Sequence, residues 1–234
     1  CVSGGPRLAI MGEQLLVMDE GTSSTREMLI DATGQTGAMA QRELATLYPQ
    51  QGWVEQDAEA IWRLTLEAAR EAIGDNADRV AGIGITNQRE TIVFWDRSTG
   101  NALAPAIVWQ DRRTADACAA LRDAGHEPRV QATTGLLLDP YFSATKIAWA
   151  LEHWPQLREA GDRLCIGTID SWLVFKLAGG LHVSDATNAS RTQCVDLRGG
   201  GGAALGALFG FPPAGFPPDL LWSGSCWVSP PSQL

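Results

Sequence analysis

Residues 15–31 read LLVMDEGTSSTREMLID, and their reading decides the fold. The apolar run 15–18 ends in the acid Asp19. Gly21 and a set of hydroxyl residues follow before a second apolar run at 28–30, which is the pattern of a β-hairpin closed by a tight turn. Gly21 lets the backbone approach a ligand, and Thr22, Ser23, Ser24 and Thr25 supply short donors. Arg26 adds a permanent cation with a forked donor set. Together these features suit phosphate, and Asp19 stands where a hydrated Mg²⁺ would bridge chain and phosphates. An ordinary solvated hairpin turn has the same composition, so the octapeptide at 19–26 leaves both readings open. It is not a Walker loop, because the Gly-Lys-Ser/Thr signature and a following helix are both missing.

The 234 residues suffice for one sizeable core or two small ones, and 45% hydrophobic content fits a globular chain. A net charge of −9 argues against a nucleic-acid partner, which needs a basic stripe. No apolar stretch is long enough for a membrane span, and residues 1–10 show no leader pattern, so the expected location is the cytoplasm. Five scattered cysteines without a Cys-x-x-Cys pair argue against a disulfide framework or a zinc site. The three histidines lie far apart and read as surface or loop residues.

Beyond the hairpin, residues 37–47 alternate as a third strand and 49–56 read as a loop. Asp57 reads as the N-cap of an amphipathic helix ending at Gly74. Residues 80–86 are expected to form a buried strand whose glycines permit close packing, with a further strand at 91–96 before a turn at 98–100. Helices are expected at 111–124 and 143–157, the second ended or kinked at Pro155. Residues 165–177 mix strand and helix signals. The sum is an α/β domain with a mixed sheet. From residue 199 onward, a glycine run and three Pro-Pro pairs make a folded element improbable in most of the stretch.

Four more segments bear on function. NQRET at 87–91 puts the donor fork of Arg89 beside the acceptor Glu90, as vicinal hydroxyls require, although a surface ion pair reads the same way. AIVWQDRR at 106–113 places Trp109 where its face could pack on a carbon skeleton or simply fill core. DPYFSATK at 139–146 sets Tyr141 at a helix start, and DATNASRT at 185–192 is a second hydroxyl-rich loop.

In this order, and with IGTIDSWLVFKL at 166–177, these segments resemble the glycerol kinases of the FGGY carbohydrate kinase family over about residues 14–219. The resemblance implies a ribonuclease H-like N-terminal domain of the actin/Hsp70/hexokinase ATPase type. It implies ATP-dependent phosphorylation of glycerol to glycerol 3-phosphate, with Mg²⁺ carried by ATP, in an enzyme that is usually a homodimer or homotetramer. On this resemblance Asp19 serves the Mg²⁺–phosphate site, and Gly21, Thr22, Ser23, Ser24 and Arg26 meet the nucleotide phosphates. Arg89, Glu90 and Tyr141 contact glycerol, and Trp109 forms the aromatic wall. A sugar kinase of the same family, or a polyol-binding domain without catalysis, is the alternative.

Two departures stand out. Glu20 occupies a position where the family usually has Gln, and a second acid beside Asp19 is expected to weaken phosphate binding by repulsion. The Gly-Asp-Gln segment that holds the family's catalytic Asp does not occur in the sequence, so little or no phosphoryl transfer is expected from this chain. The expected organisation is an extension at 1–10 upstream of Met11, the kinase domain at 11–219, and an aberrant, disordered tail at 220–234 such as a frameshift or premature end would give.

Overall fold

The computed structural model describes residues 13–196, 203–210 and 219–223, and the opening alternation becomes a pair of antiparallel strands in it. In β1 (Gln14–Glu20) and β2 (Ser24–Asp31), the residues Leu16, Met18, Glu20, Thr25, Glu27 and Leu29 all point to one buried face. β3 (Thr36–Glu43) continues the meander against β2. β4 (Glu55–Gln56) then leads into α1 (Ala58–Ile73), which covers the buried face with Ile61, Thr65, Ala68, Ala69 and Ala72. The helix has the predicted caps. Asp57 accepts from the amides of Glu59 and Ala60, and Gly74 at φ +49° closes the far end.

β5 (Val80–Asn87) lies parallel to β1, so the first sheet has the order β3-β2-β1-β5 and is mixed, as expected. The expectation that this strand is buried is corrected. β5 is an edge strand, none of its residues is fully buried, and a side chain at Gly84 would meet open space. β6 (Ile92–Asp96), by contrast, is buried throughout. It is central in a second sheet of order β4-β7-β6-β8, completed by β7 (Ala106–Ile107) and β8 (Leu164–Thr168).

α2 (Ala115–Asp123) begins later than the predicted 111, because the Asp111 carboxylate is committed to the amide of Val54 at 2.6 Å and to the Arg113 guanidinium. α3 (Glu127–Thr134) follows. The predicted helix at 143–157 becomes α4 (Ser143–His153) and α5 (Pro155–Ala160), with Pro155 opening the second helix, where its missing N–H costs nothing. Residues 165–177 hold both elements that their pattern suggested, β8 and then α6 (Ile169–Leu177). Trp172 and Phe175 of α6 pack on Trp95, and a Cβ at Gly167 would lie 2.5 Å from Ser171 Cβ and 2.9 Å from the Trp95 ring.

β9 (Val183–Asp185) and α7 (Ala186–Ala189) come next. Most of the stretch after residue 199 is expected to lack folded elements, and two elements form in it. α8 (Ala203–Phe209) buries Leu205 and Phe209 in the cluster that holds Ile147 and Leu157, and β10 (Asp219–Leu221) pairs in parallel with β9. The expected 219/220 boundary therefore runs through a strand. The extension at 1–10, the glycine run, the Pro-Pro pairs and residues 224–234 lie outside the described residues.

Candidate functional site

The turn between β1 and β2 is closed by the Gly21 amide donating to the Ser24 carbonyl at 3.0 Å. A Cβ at Gly21 would stand 3.0 Å from the same oxygen, so the turn stays tight only without a side chain. A glutamine relay ties this turn to the second sheet. Gln56 Nε2 donates to the Thr22 carbonyl at 2.6 Å, and Gln88 Nε2 donates to the Gly21 carbonyl at 3.2 Å and to Gln56 Oε1 at 2.9 Å. Thr91 Oγ1 donates to Gln88 Oε1 at 2.9 Å and accepts from the Trp109 amide at 3.2 Å, while the Trp109 indole N–H donates to Thr22 Oγ1 at 2.9 Å. Turn and indole are thus one bonded unit.

Beside this unit opens a cleft of about 350 Å³, lined by Asp19, Gly21, Thr22, Arg89, Glu90, Trp109 and Tyr141 among others. Most of the residues picked from sequence meet here, from segments far apart in the chain. Ser23, Ser24 and Arg26 do not line it. Ser23 is exposed, Ser24 opens β2 opposite Glu43, and Arg26 lies along the sheet surface with Nε donating to Gln41 at 3.2 Å. Arg26 stays 3.8 Å from Asp19, with both side chains about two-fifths exposed, so this pair contributes under about 1 kcal/mol.

Arg89 and Glu90 do not pair with each other. Arg89 is exposed at the cleft, whereas Glu90 is buried and takes the Arg191 guanidinium at 2.6 Å. Glu90 also has φ +64°, a left-handed conformation uncommon outside glycine, and its carbonyl accepts from Ser143 Oγ at 2.8 Å. Trp109 is half-buried and faces Tyr141 at 5.2 Å between centroids, tilted by 56°. The Arg191 guanidinium lies over Phe142 at 5.0 Å and Tyr141 at 5.7 Å.

Glu20, expected as a second acid beside Asp19 that weakens phosphate binding, is carried to the opposite side of β1 from Asp19 by the strand pleat. Glu20 turns to the α1 side, fully buried, and accepts from Thr65 Oγ1 at 2.6 Å. Burial raises its carboxyl to about 7, so protonated and ionised forms coexist near neutral pH. Glu27, also buried and held by Thr25 Oγ1 at 2.5 Å, is pushed to about 8, again chiefly by burial. One oxygen of each acid is buried without a partner.

Sequence reasoning did not single out four side chains that build the cleft. Gln56 and Gln88 bond to backbone across the two sheets, Arg191 pairs across 101 positions, and Lys146 is buried among carbonyls. Only Lys146 could have been suspected, as a cation in the first turn of a helix. Among the described residues no group of three or more His, Cys, Asp or Glu gathers to hold a metal ion, and no helix is long and apolar enough to cross a membrane. Asp19 offers one accessible carboxylate at the turn, a donor set that fits Mg²⁺ when phosphates and water complete its shell.

Residues 14–218 match the model of the FGGY family of carbohydrate kinases, N-terminal domain. The glycerol kinase of Aromatoleum aromaticum is 51% identical over 219 residues, covering 91% of this chain and 44% of that protein. The chain therefore spans less than half the length of such curated relatives. The crystal structure of Plasmodium falciparum glycerol kinase with ADP superposes with a TM-score of 0.83 at 30% identity, over 88% of this chain and 42% of that one. The xylulose kinase from Rhodospirillum rubrum gives 0.78 at 26% identity, over 88% and 42%.

Proposed function

The chain belongs to the FGGY family of carbohydrate kinases, and we propose that it carries the phosphate turn and the polyol wall of a glycerol kinase, which moves the γ-phosphoryl group of ATP to glycerol. The observation that carries this reading is the single cleft that joins Asp19 and the Gly21–Thr22 turn to Arg89, Glu90, Trp109 and Tyr141. Asp19, Gly21 and Thr22 bring the carboxylate and donors that Mg²⁺ and phosphates require. Arg89, Glu90, Trp109 and Tyr141 bring a cationic fork, a carboxylate and two aromatic faces, matched to a short carbon chain with hydroxyls on each carbon.

In this reading Gly21 brings bare backbone to the phosphates. Thr22 Oγ1 already accepts from the Trp109 indole, so its own proton is left to donate. Ser23, Ser24 and Arg26, which do not line the cleft, would meet the nucleotide only where its phosphates extend past the turn. Asp19 would hold the Mg²⁺, which when bound neutralises charge on the transferring phosphoryl oxygens. Arg89 donates to adjacent hydroxyls of the polyol, and Glu90, fixed by Arg191, accepts from them. Trp109 and Tyr141 exclude water from its carbon edge. Glycerol is favoured over a pentulose because the glycerol kinase relatives are about half identical to this chain, against 26% for the xylulose kinase. A cytoplasmic location and a homodimeric or homotetrameric assembly belong to the same reading. The free, buried thiols of Cys118, Cys165 and Cys194 support a reducing compartment.

The test is a titration of the chain with glycerol and with xylulose, followed by NMR on the tryptophan indole signals. Glycerol is expected to bind weakly and to move the Trp109 signal, and Arg89→Ala is expected to abolish the response while leaving the unfolding midpoint unchanged, since Arg89 is exposed. Equal responses in wild type and variant would remove Arg89 from the site, and a preference for xylulose would overturn the choice of polyol.

A further inference from the structure

Lys146 is fully buried in the first turn of α4. Its Nζ donates to the carbonyls of Val108 at 2.9 Å, Trp109 at 3.1 Å and Tyr141 at 3.3 Å, so its three donors meet three acceptors. The position opposes a cation twice over, since burial disfavours the charge and the positive end of the helix dipole repels it. No carboxylate is bonded to it. Of the charged groups that face it, Asp111 is committed to Arg113 and Glu90 to Arg191. The Cys118 thiol faces it from α2 and is raised by burial, so it stays neutral. The carbonyls therefore hold the ammonium, and two of them belong to the residues whose rings pack against each other in the cleft wall.

We propose that Lys146 is a positioning residue of the polyol wall: by drawing the Trp109 and Tyr141 carbonyls onto one ammonium, it sets the spacing and tilt of the two rings that receive the polyol. The inference rests on the polyol reading of the cleft. It makes that wall sensitive to pH, because burial lowers the Lys146 ammonium to about 7. The neutral amine keeps two N–H groups and cannot serve three carbonyls. One bond is lost as pH rises through that value, and the rings lose their common anchor.

The experiment follows two probes on the full chain between pH 5.5 and 9, the Lys146 Cε carbon and the Trp109 indole N–H, each assigned by substitution. The expected result is a shared midpoint near 7, with glycerol binding weakened about tenfold above it. Lys146→Met, which keeps the apolar stem but not the donors, is expected to abolish that step in the Trp109 signal and to weaken glycerol binding about tenfold at pH 6. A Trp109 signal that ignores the Lys146 titration, or a Lys146→Met chain with unchanged glycerol affinity, overturns the proposal. If the variant fails to fold, the wild-type comparison still decides, since separate midpoints for the two probes refute the coupling. A Trp109 signal that tracks Lys146 in a chain indifferent to glycerol keeps the clamp on the two rings and rejects the polyol reading instead.

Discussion

Replacing Glu27 by Gln is expected to flatten the dependence of stability on pH. Glu27 is fully buried beneath the hairpin, and its carboxyl is raised from 4.5 to about 8 by burial first, with Glu20 and Asp19 adding to the shift and Thr25 and Arg42 opposing it. Because the folded-state value is raised, the folded chain keeps a proton that the unfolded chain has released. The resulting stabilisation is complete below pH 4.5 and is lost as pH rises through about 8. Between pH 5.5 and 8.5 this amounts to roughly 3 kcal/mol from Glu27 alone, at about 1.4 kcal/mol per pH unit. Gln keeps the acceptor for Thr25 but leaves a buried amide to satisfy, so about 1 kcal/mol is expected to be lost at pH 5.5 and a net gain of about 2 kcal/mol to appear at pH 8.5. Urea unfolding at several pH values measures both. Parallel profiles for wild type and Glu27→Gln would refute the reasoning.

Three other outcomes follow from the same contacts. Gly167→Ala is expected to cost about 2–3 kcal/mol, since its Cβ would press on Ser171 and the fully buried Trp95; an unchanged urea midpoint would show that the packing there yields. Arg191→Met leaves the buried Glu90 carboxylate unpaired and is expected to cost about 2 kcal/mol, and the further change Glu90→Gln is expected to recover part of it; a double variant no more stable than Arg191→Met would point to packing on Phe142 alone. An assay for ADP release with glycerol and ATP is expected to stay silent for this chain. Turnover would direct the search for a base to the carboxylates it contains, Glu90 first.

Legibility from sequence followed the range of the interactions. The hairpin and α1 could be read because their determinants are local: the alternation through β1 and β2, the Asp57 cap and the Gly74 stop. Burial of β5 was misjudged because an apolar run does not reveal whether a strand has one neighbour or two, and among the described residues β5 has only β1. α8 was hidden by the glycines and prolines around it, although Leu205 and Phe209 anchor it. At the cleft, residue types pointed to Arg89, Glu90, Trp109 and Tyr141, yet the partners that aim them were out of reach. Arg191 and the glutamine relay act across dozens of positions, and Lys146 acts on backbone carbonyls that carry no mark in the sequence.

The contacts Glu90–Arg191 and Asn87–Asn188 each join residues 101 positions apart, which fixes an order of events during synthesis. A ribosome adding about 5–20 residues per second needs roughly 5–20 s to travel from one partner to the other. Through that interval the hairpin and α1 can form from local contacts, while Glu90 waits as a carboxylate without its cation. The cleft therefore closes later than the hairpin and α1, and translation pauses before Arg191 prolong the stage at which a chaperone or protease meets it open.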